Sequence, residues 1–319
     1  MAGSNGFAYI LLAMVVVSIS ANSSDALTTN FYSKVCPKAL QTIKKVVTAA
    51  VTREPRMGAS LLRLHFHDCF VNGCDASVLL DSTSSIDGEK GAFSNVNSVR
   101  GFDVVDRIKA AVDKVCGPQV VSCADILAVA ARDSVVQLGG GSWKVELGRR
   151  DSTTASRTAA NNALPGPGSS LQSLKANFRS VGLNEKDLVV LSGGHTIGVS
   201  KCSNFKSRIY TETNIDPLFA RNLRLTCPRT GGDNRLGPLD TSSTRFDTQY
   251  FKDLVRRRGV LHSDQVLFNG GSTDALVRRY STNAAAFAAD FGKSMIKMGR
   301  IKVLQGRSGQ IRKNCRRKN

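Results

Sequence analysis

The sequence predicts an all-α fold, one globular body of helices joined by long loops. Apolar residues recur at three- and four-residue spacing in Phe102, Val105, Ile108, Val112 and Val115, and again in Phe287, Phe291, Met295 and Met298. That spacing is the stripe of a helix with one buried face. Sustained period-two alternation, the mark of a half-buried strand, is scarce. The 319 residues are 41% hydrophobic and 22% charged, with no internal repeat and no low-complexity linker. This is a globular composition, long enough to bury a large core.

The first element in chain order is Phe7 to Ile19, thirteen apolar residues without a charge. It is shorter than the roughly 20 residues a membrane helix needs. Small residues follow at Ser18, Ser20, Ala21, Ser23 and Ser24. This is the plan of a signal peptide over residues 1–24, cleaved at about 20–25, although the usual Lys or Arg before the apolar run is missing. It leaves 25–319 as a single domain, with no later run long enough to cross a membrane. The only Asn-x-Ser/Thr acceptor is Asn22, so the mature chain is expected to carry no N-glycan. A helix over Gly101 to Cys116 ends at Cys116-Gly117-Pro118, and a second continues to Ala131. Loops are expected at Ser82–Gly91, at Asn161–Ser170 with Pro165 and Pro167, and at Arg229–Ser243. A helical pattern over Leu183–Leu191 leads into Gly193-Gly194-His195, where two glycines would let backbone approach a flat ring.

Eight cysteines behind a signal peptide predict four disulfides made in an oxidising compartment. None are spaced CxxC, which argues against a zinc ribbon or a thioredoxin-like site. Spacing alone pairs only Cys69 with Cys74. The net charge is +19. For a secreted chain this favours acidic polysaccharide over nucleic acid as partner, or simply a solvated basic surface. The basic residues are scattered, apart from Arg256–Arg258 and the tail from Arg312 to Lys318.

The densest chemistry lies in Arg63-Leu64-His65-Phe66-His67-Asp68-Cys69 and the following Phe70-Val71-Asn72-Gly73-Cys74-Asp75-Ala76-Ser77, which hold two of the four histidines. On a helix Arg63 and His67 share a face, whereas His65 points elsewhere. A fixed cation beside a titratable base suits heterolysis of a polar bond: the base moves a proton and the cation stabilises the developing anion. Asp68, Asp75 and Ser77 bring oxygen ligands to a Gly-containing turn, which suits Ca²⁺ or, more simply, a capped helix followed by an Asx turn. A hydrolase metal site of His65, His67 and Asp68 would need residues 65 and 67 on a strand, and has no third histidine nearby.

The cluster closely resembles the distal haem motif of class III plant peroxidases. Leu191-Ser192-Gly193-Gly194-His195-Thr196-Ile197-Gly198 resembles the proximal haem motif of that family. The likeness continues through Val121-Ser122-Cys123-Ala124-Asp125-Ile126-Leu127, Gly148-Arg149-Arg150-Asp151, Ser263-Asp264-Gln265 and Ile311-Arg312-Lys313-Asn314-Cys315. It runs in order from about Ala26 to the end, and several long motifs in series are far more specific than one.

The resemblance implies a haem peroxidase fold, with one haem b between a distal and a proximal helical half. His195 matches the axial iron ligand, a proper one for peroxidase haem, and Asp264 the carboxylate that accepts its other ring N–H. His67 matches the distal acid–base residue, Arg63 its cationic partner, Asn95 the group that orients its ring, and Phe66 an apolar wall beside the peroxide. Hydrogen peroxide is thereby cleaved heterolytically, and small phenolic donors return two electrons one at a time. Two Ca²⁺ are implied. The distal one would be held by Asp68, Val71 and Gly73 (through their carbonyls), Asp75 and Ser77, with Glu89 linked through water. The proximal one would be held by Thr196, Asp240, Asp247 and either Ser242 or Ser243; the 240–247 spacing is one residue shorter than the commoner family pattern. Pro165 matches a proline lining the donor entrance. The family pairing of the cysteines is Cys36–Cys116, Cys69–Cys74, Cys123–Cys315 and Cys202–Cys227. A monomer in the apoplast and cell wall is expected, since only four residues follow Cys315 where vacuolar members often extend further. A non-catalytic wall protein on the same fold would have lost Arg63, His67 or His195, and all three are present.

Overall fold

A computed structural model describes residues 27–319. The signal segment at 1–24 and the Asn22 acceptor lie outside the described residues. The described chain forms thirteen α-helices and one two-stranded ribbon.

The first four helices build one half: α1 (Ala39–Arg53), α2 (Arg56–Phe70), α3 (Phe102–Cys116) and α4 (Cys123–Gln137). Ile43, Val47, Ala50 and Val51 bury one face of α1, as their spacing demands. Helix α4 starts at Ser122, whose hydroxyl accepts the Asp125 N–H at 3.1 Å. It is buried almost all round. Ile126, Leu127 and Val129 join the core of this half, while Ala131 and Val135 join the core of the next.

The second half follows: α5 (Arg157–Ala163), α6 (Leu171–Ser180), α7 (Glu185–Ser192), α10 (Gln249–Val255), α11 (His262–Gln265), α12 (Asp274–Thr282) and α13 (Ala284–Met298). Helix α7 is set by a reciprocal cap: the Asn184 side chain accepts from Asp187 N, and the Asp187 carboxylate accepts from Asn184 N, both at 3.0 Å. Phe287, Phe291, Met295 and Met298 are all buried, as their spacing predicts. A smaller satellite, α8 (Lys206–Thr211) and α9 (Pro217–Thr226), packs around the Cys202–Cys227 bridge. Beside it β1 (Val199–Lys201) pairs antiparallel with β2 (Leu236–Pro238).

Three expectations need correcting. Val115 is 48% exposed, and Val104 completes the buried stripe of α3. The two point the same way round the helix, but Val115 lies in its uncovered last turn. The loop expected from Asn161 starts at Leu164, because residues 161–163 close the last turn of α5. The expected loop over 229–243 contains β2, too short to show as an alternating pattern. The helix break at Cys116-Gly117-Pro118 falls as expected.

All four bridges form in the pairing implied above, and no described cysteine is free. A polar cluster locks the first half to the later chain. Asp125, wholly buried, accepts from Tyr32 Oη, Gly148 N and Arg149 Nη1, each at 2.8 Å, and from Arg149 N at 3.3 Å. Asp151 accepts from Ala124 N at 2.9 Å and Arg312 N at 2.8 Å. No described helix is long and apolar enough to cross a membrane.

Candidate active site

Helix α2 carries the first set of functional groups. Most of its positions are buried, yet Ala59, Arg63 and Phe66, on one face, stay partly open, as do Arg56 and Ser60 nearer its start. Arg63 Nε donates to His67 Nε2 at 3.0 Å. Because Nε2 accepts, the ring proton sits on Nδ1, and Nδ1 donates to Asn95 Oδ1 at 2.5 Å. Asn95 is itself turned by its amide, which donates to the Glu89 carbonyl at 2.8 Å. The guanidinium is fixed from behind by the Ser98 hydroxyl at 2.7 Å and the Ser94 carbonyl at 2.8 Å. Burial, and then the Arg63 charge, hold the His67 pKa well below the usual imidazole value, so the ring is a neutral base at pH 7. Burial lowers Arg63 only to about 10, so it remains a cation.

His195 follows α7 on a short 3₁₀ turn, Gly193–Thr196. Its Nδ1 donates to Asp264 Oδ1 at 2.8 Å, and no hydrogen bond reaches Nε2. The ring sits deep in the molecule yet its side chain is 42% exposed, so it forms the floor of an open cleft. Burial works to lower its pKa, but the Asp264 charge and hydrogen bond outweigh this and raise it. A methyl group at Gly194 would lie 3.5 Å from Leu62, and one at Gly198 3.0 Å from Ala59, so this segment packs directly on α2. Gly193 serves a different end from the one expected. Its missing side chain leaves room for Phe287 and Phe251, which a Cβ would meet at 2.6 and 2.8 Å. A free imidazole nitrogen opposite the open face of α2 fits an axially ligated planar cofactor.

The turn after α2 gathers the oxygen groups expected at the distal cation site. Asp68 Oδ2 accepts Ala76 N, and Asp75 Oδ1 accepts Ser77 N, both at 2.9 Å. That leaves Asp68 Oδ1, Ser77 Oγ and both carboxylate oxygens of Glu89 buried without a hydrogen-bond partner. Burial drives the pKa values of Asp68 and Asp75 up, and that of Glu89 to about 8. Orphaned carboxyl and hydroxyl oxygens around a tight turn are the kind of group a hard cation satisfies. Gly73 is at φ +128°, and a Cβ there would strike the Lys302 carbonyl at 2.5 Å. Its own carbonyl accepts Asp75 N at 2.9 Å, and Val71 is wholly buried beside it. Asp68 caps no helix, since it lies within the last turn of α2; the expected Asx turn is made by Asp75 on Ser77 N.

On the proximal side Thr196 Oγ1 donates to Asp240 at 2.8 Å and to Asp247 at 3.2 Å, and Ser242 Oγ reaches Asp247 at 3.1 Å. Ser243 contributes only its carbonyl, to Gly198 N at 2.8 Å. Burial lifts the Asp240 pKa to about 7, with Asp253 and Asp247 adding to it. Pro165 lies half-buried in a loop that Ser263 N pins through the Pro167 carbonyl at 3.0 Å, next to Asp264. His65 faces away from the cleft. It is held neutral, its pKa down to about 3, by burial and by Arg149. Its ring lies against Cys69 Sγ, whereas that of His67 lies between Arg63 and Asn95, and no three described His, Cys, Asp or Glu side chains converge on a metal position.

The sequence reading missed Ser94 and Ser98 behind Arg63, Tyr250 on Asp264, and the buried Arg312. Arg312 donates to the Ala76 carbonyl at 2.8 Å and so reaches the 73–77 turn. Serines of this kind leave no sequence signal, but a buried tyrosine needs a partner for its hydroxyl, and Tyr250 beside Phe251 and Leu254 sits on the apolar side of its short helix.

A family model described as peroxidase matches residues 43–283. The chain is 61% identical to peroxidase RIP1 of Medicago truncatula, covering 97% of each, and 56% identical to peroxidase 4 of Vitis vinifera, covering 98% of each. It is 59% identical to peroxidase P7 of Brassica rapa subsp. rapa over 92% of this chain and all of that one. The chain belongs to the class III plant peroxidases. The peroxidase is accordingly a haem enzyme that reduces hydrogen peroxide at the expense of phenolic donors.

Proposed function

We propose that His67, Arg63 and Asn95 form the peroxide-cleaving unit, and that His195 and Asp264 hold haem b from the other side. The chain Arg63–His67–Asn95–Glu89 carries this reading, because it leaves His67 Nε2 unprotonated beside the Arg63 guanidinium. Haem, when bound, supplies the iron at which the O–O bond breaks and stores the two oxidising equivalents. His67 Nε2 takes a proton from the near oxygen of the peroxide and returns it to the departing oxygen, which leaves as water. Arg63 stabilises the negative charge that builds during this cleavage. Asn95 holds the Nδ1 proton so that Nε2 stays the basic atom. Two phenols each give one electron and one proton, so H₂O₂ and two phenols become two waters and two phenoxyl radicals. Pro165 lines the approach of these small donors, and Phe66 walls the peroxide side.

Two Ca²⁺ complete the holoenzyme. The orphaned oxygens of Asp68, Ser77 and Glu89 support the distal ion. The convergence of Thr196, Asp240, Ser242 and Asp247 supports the proximal one, with Ser242 rather than Ser243 as the serine ligand. The working form is a monomer, residues 25–319, secreted to the apoplast, where its +19 charge draws it to acidic wall polysaccharide. One preparation tests the assignment. Haem-reconstituted, disulfide-bonded protein should contain two calcium per chain, and its Soret band should weaken with one equivalent of H₂O₂ and recover with a phenol. A haem-bound protein whose spectrum ignored peroxide would refute the distal roles.

A further inference from the structure

We propose that the corner formed by α8, α9 and β2 is the docking surface for a carboxylated polysaccharide. This rests on reading the +19 charge as polyanion-binding, and it goes further by placing the contact. Between Lys201 and Arg235 the chain carries seven basic residues and three acidic ones. Each acid is already engaged: Glu212 by Arg208 and His262, Asp216 by the N-terminus of α9 and Arg258, Asp233 by Lys206. Arg221, Arg224, Arg229 and Arg235 have no carboxylate partner among the described residues. Three of them are nonetheless held in place. Arg224 and Arg229 stack on the Tyr210 ring at 5.0 and 4.5 Å, Arg224 Nε donates to the Ile209 carbonyl, and Arg235 donates to the Thr226 carbonyl. Leu218 and Leu225, 52% and 78% exposed, flank Arg221 along the outer face of α9. Fixed guanidiniums interleaved with apolar side chains match a linear polymer with a carboxylate on each ring and apolar C–H faces between.

The test uses full-length holoenzyme and polygalacturonate. Replacing Arg221, Arg229 and Arg235 together by Gln should weaken retention at least tenfold and flatten its salt dependence. The same loss of charge in the tail, Lys313→Gln, Arg317→Gln and Lys318→Gln, should weaken it far less. Turnover of a small phenol serves as the fold control in both. Equal losses in the two triple variants, or tighter binding to anionic lipid vesicles than to polygalacturonate, would overturn the assignment. A wild-type protein that ignores both would overturn the polyanion reading itself.

A separate observation assigns a positioning role to Tyr250. This tyrosine of α10 is 1% exposed, and its hydroxyl donates to Asp264 Oδ1 at 3.0 Å. That is the same oxygen that accepts His195 Nδ1 at 2.8 Å, while Oδ2 takes only Leu261 N at 3.3 Å. Two donors on one carboxylate oxygen divide its electron density, so Tyr250 limits how far Asp264 draws the proton from His195. It thereby sets how electron-rich the axial imidazole becomes. In the haem-loaded protein, Tyr250→Phe should move the ferrous iron–histidine stretch to higher frequency and the reduction potential to more negative values. Phe251→Leu, which disturbs the neighbouring ring packing at 5.1 Å but no hydrogen bond, should move neither, even if it melts earlier. An unshifted stretch in Tyr250→Phe, or the same shift in Phe251→Leu, would sink the idea.

Discussion

Replacing His67 by leucine is expected to slow the reaction with peroxide by roughly 10²–10⁴-fold, the range for removing a positioned acid–base group. Haem should remain bound, because His195 and Asp264 are untouched. The loss belongs near the upper end of that range. His67 Nε2 is the acceptor in the distal chain, and Arg63, already bonded to Ser98 and the Ser94 carbonyl, carries no basic atom to replace it. Asn95→Ala should cost less, since the base would survive in mixed tautomers. Stopped-flow measurement of the peroxide-dependent Soret change reads both, and a His67→Leu rate within threefold of the wild type would remove His67 from the mechanism.

The largest stability effect is expected at Asp125, far from the chemistry. Its carboxylate is wholly buried and takes four hydrogen bonds, one of them from the buried guanidinium of Arg149. Asp125→Ala strands that cation and should cost about 3–5 kcal/mol, the usual penalty for breaking a buried pair. The double variant Asp125→Leu with Arg149→Met should recover part of the loss by removing the stranded charge. It cannot recover all, because Arg149 also serves the Gly299 and Glu146 carbonyls. Denaturant unfolding of the disulfide-intact protein reads the cycle, and a cost below about 1 kcal/mol for Asp125→Ala would show that water reaches the site.

Much of this architecture is legible in the sequence because local chemistry repeats there. The stripe of α13, the break at Gly117 and the Arg63–His67 pairing each follow from helical geometry. The contact between His195 and Asp264 does not. It joins residues 69 positions apart, and only family resemblance links them beforehand. Val115 shows the limit from the other side, since periodicity gives a direction round a helix but not what stands opposite. The turn after α2 is intermediate: its oxygen groups are visible in Asp68, Asp75 and Ser77, while the strain at Gly73 and the clamp from Arg312 exist only once distant chain arrives.

That clamp has a consequence in time. Arg312 holds the Ala76 carbonyl across 236 residues, and Cys315 closes on Cys123 across 192. At about 5–20 residues per second of synthesis, the 73–77 turn waits on the order of tens of seconds for its partner. The Cys69–Cys74 bridge, five residues across, can close at once. Until the tail arrives, the early half of the molecule must stay soluble with its carboxylates unclamped, so the final step of assembly is also the one that makes the 73–77 turn whole.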